Sequence, residues 1–235
     1  GGCMGRVPRR WGGSIRWYLL GTLVALELLM SFSFLGYFHV EPISVTIAYI
    51  PVLLAGALMG PLESAILGTV FGLASMWKAS AHYIMAFDQL FSPAMSGQPL
   101  KSVLLSVGSR ALFGLVVGLL YTAARRAKHP GLWVGIISFA GAQIHSAFVY
   151  SALWAFFPET GYTPLSALRS LRSLNGILTD LVTAGIVLLV WYLMSSKAWT
   201  QFLIRVEAAR SFRMGERYHM LSLLGAILLV LISSV

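Results

Sequence analysis

The chain has 235 residues, of which 57% are hydrophobic and 11% are charged. Soluble domains typically carry about 25% charged residues, so this composition excludes an ordinary water-soluble globule. The formal net charge of +9 does not indicate nucleic-acid binding, because the basic residues stand in short clusters between long apolar runs. Such clusters set membrane topology and contact anionic lipid headgroups. We therefore expect an all-α integral membrane protein that has the lipid bilayer as a partner and binds no nucleic acid.

Six apolar segments are long enough, or nearly long enough, to cross the hydrocarbon core within residues 17–196, the predicted membrane domain. Residues 1–16 form a basic N-terminus before it. A break at Gly60-Pro61 predicts a tight hairpin between the second and third segments. The stretch from Tyr37 to Pro51 is expected to be a loop that re-enters the protein. The predicted helices are 17–38, 45–59, 62–81, 102–124, 132–157 and 175–194.

Two further segments follow the membrane domain. Residues 197–218 mix aromatic and cationic side chains, which predicts an amphipathic helix at the membrane interface or, alternatively, a solvated connector. Residues 219–235 form a seventh hydrophobic helix, which is short for a complete span. We expect the native chain to continue beyond Val235.

The distribution of Lys and Arg predicts the orientation in the membrane. With a cytoplasmic N-terminus, twelve of these residues fall on the inner side, four on the outer side and one, Arg110, within a helix. We therefore expect a multi-pass protein of the cell (inner) membrane with its N-terminus in the cytoplasm.

Polar residues at membrane depth are the candidates for function, because an ionisable group in hydrocarbon is costly. Most of them fall in the predicted outer half, where aromatic side chains could wall a small-molecule pocket. An alternative is that Arg110 and Asp180 only neutralise each other, and the two interpretations are compatible. The predicted ligand-binding residues are Trp77, Lys78, Arg110, Gln143, His145, Tyr150, Trp154, Asn175 and Asp180.

Packing is the bland alternative for two ionisable residues at depth, one of them a member of this ligand-binding set. His145 by itself is more often a hydrogen-bonded packing residue than a metal ligand, and for Glu27 packing is favoured over a proton site. No nucleophile–base pair, phosphate-binding glycine loop or metal-spaced cluster occurs in the sequence. We therefore expect no enzymatic activity, no cofactor and no bound metal.

Small residues recur every four positions along several predicted helices, which allows close helix–helix packing in lipid. Packing within one bundle is the favoured interpretation. The alternative is a docking surface for another membrane subunit, for which Gly21 and Ala25 are the preferred pair.

The run from Ile50 to Pro61, continued by Ala65-Ile66-Leu67-Gly68 and Phe71-Gly72-Leu73, resembles helices two and three of the substrate-binding S components of energy-coupling-factor (ECF) transporters. The resemblance covers about residues 16–196. It implies six helices with both ends cytoplasmic, a vitamin-like ligand near the outer face, and a first loop that caps the site. It also implies that Gly21 and Ala25 contact a transmembrane coupling subunit that works with ATPases.

The segments after Ser196 depart from the S-component pattern, in which the chain should stop. An alternative function is therefore the ligand-sensing input domain of a larger signalling protein, such as a histidine kinase or diguanylate cyclase. A fused signalling domain would then replace the coupling subunit as partner. An assembly subunit without a ligand is a third, weaker possibility.

Overall fold

A computed structural model describes residues 13–32, 37–40, 43–81, 86–166, 168, 174–199, 201, 202 and 205. These residues are predominantly helical, with one two-stranded hairpin. The α-helices are α1 (Gly13–Phe32), α2 (Ile50–Leu58), α3 (Pro61–Ala81), α4 (Pro99–Val103), α5 (Ser109–Ala124), α6 (Pro130–Phe139), α7 (Gly141–Phe156) and α8 (Leu174–Met194). A π-helical turn, Leu104–Gly108, joins α4 to α5. The predicted seventh helix and most of the predicted amphipathic segment lie outside the described residues.

Within the described residues, three helical stretches are long and apolar enough to cross a membrane: Ile15–Phe32, Pro99–Ala124 and Leu174–Met194. The pair α6–α7 makes a fourth if the two helices count as one bent span. The apolar helices therefore suggest a membrane-embedded protein, as the composition predicts. Among the six predicted spans, α2 has only nine residues, which at about 1.5 Å per residue cannot cross a ~30 Å core.

Proline residues set where several helices begin. Pro61, Pro99 and Pro130 are the first residues of α3, α4 and α6, and Pro51 is the second residue of α2. Proline fits a first helical turn because its missing N–H would have no intrahelical acceptor there. The prediction that Pro51 belongs to a re-entrant loop is therefore wrong, because this residue lies in the first turn of α2.

The segment between α1 and α2 differs from the predicted helix ends. Strand β1 (Tyr37–Val40) pairs antiparallel with β2 (Ile43–Thr46), so that Tyr37 faces Thr46 and Val40 faces Ile43. The first helix ends at Phe32 rather than residue 38, and the second begins at Ile50 rather than residue 45. β-Branched and aromatic residues, which favour strands, dominate this part of the sequence, and hydrophobicity alone does not distinguish them from a helix.

The predicted fifth helix is also divided in two. Helices α6 and α7 meet at Ala140 with a bend of 47°. The missing side chain of Gly141 admits Leu53 of α2, since a Cβ atom there would lie 2.7 Å from Leu53 Cδ1. The bend therefore lets α7 approach the buried helix α2.

The predicted hairpin of the second and third helices is present. Only Met59 and Gly60 separate α2 from α3, and Ser64 Oγ donates to Val52 O at 2.9 Å across the pair. Arg125, after α5, donates from Nη2 to Gly56 O at 2.6 Å and Ala57 O at 3.0 Å. These bonds satisfy carbonyl groups at the C-terminus of α2 that have no intrahelical donor.

The small residues of α3 and α5 pack those helices against each other. A Cβ atom at Gly68 would collide with Arg110 O, and one at Gly114 would collide with Ser64 O. At Gly72 it would lie 2.6 Å from Val107 Cα. The two antiparallel helices are thus in backbone contact, and packing within one bundle explains these glycines.

Replacing Gly68 with alanine should lower stability, because the obstructing atom belongs to the α5 backbone and the helices must separate. We expect a loss of about 1–3 kcal/mol. Gly185→Ala is the matched control, since a Cβ atom at this helical glycine meets nothing within 4 Å. Thermal unfolding of the purified variants in detergent measures both changes. Equal stabilities of G68A and G185A would contradict the close packing.

Candidate functional site

Arg110 lies inside the bundle one residue after the start of α5. Its Nη1 donates to Ser106 O at 2.9 Å, and its guanidinium lies 4.9 Å from the centre of the Phe71 ring and 5.3 Å from that of Phe91. Contact with two ring faces stabilises a desolvated cation. The π-helical turn immediately before α5 contains Ser106, and such turns often occur at functional sites.

His145 of α7 is packed among three aromatic rings. Its ring centre lies 5.3 Å from that of Phe71, 5.3 Å from that of Phe113 and 6.0 Å from that of Tyr49. Its Nε2 is buried and has no hydrogen-bond partner among the described residues. The Phe71 ring thus contacts both His145 and Arg110, and it joins two of the predicted ligand-binding residues.

Asp180 and Gln143 form a second part of the cluster. Gln143 Nε2 donates to Asp180 Oδ2 at 2.5 Å, which connects α7 to α8. One turn further along α8, the Thr183 hydroxyl lies 3.3 Å from the Tyr49 hydroxyl. The predicted neutralisation of Asp180 by Arg110 is wrong, because an amide holds this carboxylate and Arg110 lies against aromatic rings.

Glu27 of α1 also belongs to the buried interior. Its side chain is fully buried, and Oε1 accepts a hydrogen bond from Ser31 at 3.0 Å. We call the group formed by Tyr49, Phe71, Arg110, Phe113, Gln143, His145, Asp180 and Thr183 the polar–aromatic cluster.

The remaining predicted site residues lie away from this cluster or at its margin. Trp154 is 59% exposed, and Trp77, 44% exposed, meets Phe32 edge-on with ring centres 5.2 Å apart. Asn175 is exposed at the start of α8, and Lys78 is partly buried near Asp88. Tyr150 stacks on Tyr162 at 5.2 Å. Of the predicted wall residues Trp77, Tyr150 and Trp154, the two tryptophans are exposed and therefore do not belong to the buried cluster.

A short loop covers the cluster near Arg110. The 3₁₀ helix Ala86–Phe91 places Phe91 against the guanidinium of Arg110. Two buried serines bind this loop through hydrogen bonds. Ser106 Oγ donates to Phe91 O at 3.0 Å, and Ser102 Oγ donates to Leu90 O at 2.7 Å. These bonds satisfy loop carbonyl groups that would otherwise be buried without donors.

Gly21 and Ala25, the predicted contacts of a coupling subunit, are partly buried on α1. Sequence reasoning missed Tyr49, Phe71, Phe113 and Thr183 as members of the cluster. Aromatic and hydroxyl residues are common in apolar helices, and only the positions of their neighbours distinguish these four.

The cluster offers hydrogen-bond donors and acceptors of both charge signs beside flat aromatic faces. That combination fits recognition of a small organic molecule, in which polar groups fix orientation and rings provide contact area. No protein-family model and no curated protein matches this chain.

The Gln143–Asp180 hydrogen bond can be tested by a double-mutant cycle. Q143L should cost about 1–2 kcal/mol, because it leaves a buried carboxyl group without its donor. Q143L/D180L should recover much of that loss, since replacing both partners with apolar groups removes the polar groups that need each other. The measurement is thermal unfolding of the four proteins, and strictly additive changes would show that the two side chains do not interact.

Proposed function

We propose that this protein captures a small, vitamin-like organic molecule within the membrane, as the S component of an ECF importer does. The observation that carries this proposal is the polar–aromatic cluster, in which α5, α7 and α8 each contribute a buried ionisable or polar side chain. Ionisable residues are rare at membrane depth and are retained mainly for function or for pairing. Arg110 and Asp180 are not paired with each other, so mutual neutralisation does not account for their presence.

The chemistry of the cluster favours a ligand that combines a ring with a polar group. Phe71, Phe113 and Tyr49 provide ring faces around His145. Arg110 provides a cation for a carboxylate, a phosphate or another acceptor group. Asp180 and Gln143 provide an acceptor and an amide, which can bind a donor on the ligand.

The arrangement of the chain is consistent with an S-component role. The β1–β2 hairpin is the first connection, and it leads within three residues to Tyr49, a member of the cluster. In the resembled family the first loop caps the ligand. The hairpin of α2 and α3 and their glycine-rich packing also agree with the motif on which the resemblance is based.

A sensor input domain is the second candidate function. The observation that favours it is that helical residues continue beyond α8, at residues 197–199, 201, 202 and 205. A helix that follows α8 would connect ligand binding to a signalling domain.

A ligand panel tests the proposed capture function. Purified full-length protein is mixed with each water-soluble vitamin and followed by thermal shift and native mass spectrometry. One compound should add its mass and raise stability, by about 2.7 kcal/mol at a concentration of one hundred times Kd. R110A and D180A should lose the effect. L112A and L181A, at exposed positions on the same helices, should keep it.

The panel result can contradict the proposal in two ways. Binding of no compound to the folded wild-type protein would do so, as would R110A and D180A variants that fold normally and bind as tightly as L112A and L181A.

Affinity purification from native membranes separates uptake from sensing. If the protein serves uptake, a transmembrane coupling subunit and ATPases should copurify with it, and G21L and A25L should lose them because a large side chain prevents close helix contact. L29A, at an exposed position of α1, should retain them. Copurification that G21L and A25L leave unchanged would rule out the predicted contact, and the absence of both partners would favour the sensor.

A further inference from the structure

Three described elements enclose the guanidinium of Arg110, which is buried in the bundle. Phe71 of α3 lies 4.9 Å from it and Phe91 of the 86–98 loop lies 5.3 Å from it, each measured to the ring centre. The carbonyl group of Ser106, in the π-helical turn, accepts a hydrogen bond from Arg110 Nη1. A molecule that enters the polar–aromatic cluster at Arg110 must therefore displace one of these elements.

The two helical walls are fixed by backbone contact. Side chains are missing at Gly68 and Gly72 of α3, where a Cβ atom would collide with Arg110 O or lie 2.6 Å from Val107 Cα, respectively. The π-helical turn continues directly into α5. Moving α3 or this turn away from Arg110 would therefore break the close packing between two long helices.

The 86–98 loop is bound differently, through serine side chains. Ser102 and Ser106 donate from Oγ to carbonyl groups of the loop at 2.7 and 3.0 Å. The Ser92 hydroxyl of the loop lies 2.8 Å from the Ser80 hydroxyl of α3. Each such bond contributes little net stability, because both of its groups bind water once it is broken. The loop can therefore open locally while the helices stay folded.

Ser106 connects the loop to the charged group beneath it. Its hydroxyl group donates to Phe91 O, and its carbonyl group accepts from Arg110 Nη1. When the loop opens, the Phe91 ring leaves the guanidinium, whereas the contacts of Arg110 with Ser106 O and Phe71 belong to the fixed walls. Opening therefore removes an aromatic cover from a cation that stays in position.

We propose that the 86–98 loop is a lid, with Phe91 as its inner contact, through which a small molecule reaches the polar–aromatic cluster. In the closed state the Phe91 ring covers the guanidinium of Arg110. In the open state a planar ring of the incoming molecule takes that place, since a guanidinium attracts any aromatic face. The role of the lid in ligand entry rests on the proposed function, whereas its opening does not.

A reversible crosslink tests the opening without any ligand. In C3S/S80C/S92C, two cysteines replace the neighbouring hydroxyl groups of α3 and the lid, so that a disulfide locks the lid closed. Full-length protein in lipid nanodiscs is treated with phenylglyoxal, which modifies the guanidinium groups that it reaches, and peptide mass spectrometry measures the rate at Arg110. The oxidised form should react at least about tenfold more slowly than the reduced form, freed of reductant. Exposed Arg126 should react equally in both.

Removing the Phe91 ring tests which part of the lid covers Arg110. F91A should increase the rate of Arg110 modification at least about tenfold over wild type, because the reagent no longer has to wait for the lid to open. F157A is the matched control, since Phe157 is a buried phenylalanine of the same apolar cluster but lies outside the lid. It should react as wild type does.

Two results would overturn the proposal: equal Arg110 rates in the oxidised and reduced forms, or an F91A rate no higher than that of F157A. If the first disulfide does not form, C3S/S96C/S102C replaces it, since those hydroxyl groups lie 2.6 Å apart. If neither forms, the comparison of F91A with F157A decides.

The lid and the capture function can fail separately. Because phenylglyoxal is the only probe, a vitamin panel without a binder would leave these rates unaffected. A panel vitamin that binds equally fast to the oxidised and reduced forms would overturn the lid and leave the capture function standing.

Discussion

The backbone contact between α3 and α5 is the constraint on which the rest of the structure depends. Gly68, Gly72 and Gly114 remove the side chains that would hold these helices apart, so that Arg110 O and Ser64 O are reached directly. Close backbone approach of this kind provides van der Waals packing between the helices. The same contact fixes the height of Arg110 against Phe71.

The polar–aromatic cluster depends on that height. Phe71 is one residue before Gly72, and its ring contacts both the guanidinium and the His145 ring. A shift of α5 along α3 would separate Arg110 from Phe71. The close packing and the cluster are therefore parts of one arrangement, in which costly polar groups are tolerated because aromatic rings, amide groups and carbonyl groups surround them.

The two ends of α2 show how a short helix is held inside the bundle. At its C-terminus Arg125 donates to two carbonyl groups, and before its N-terminus Tyr49 reaches Thr183 of α8. Between these two ends, Ser64 of α3 donates a hydrogen bond to Val52 O, and the Leu53 side chain packs against Gly141 of α7. A nine-residue helix has few hydrogen bonds of its own, so its position is set by these neighbours.

The sequence by itself determined the apolar helical character, the Gly60-Pro61 hairpin and the positions of Arg110, Gln143, His145 and Asp180 within apolar helices, because these follow from composition and local spacing. Only the tertiary structure decided that Asp180 meets Gln143 rather than Arg110, that Trp77 and Trp154 are exposed, and that Phe71 contacts both Arg110 and His145. Pairing depends on the rotation and height of each helix, and these are set by contacts between residues far apart in the chain. Hydrophobic periodicity gives a helix its apolar faces but does not specify its neighbours.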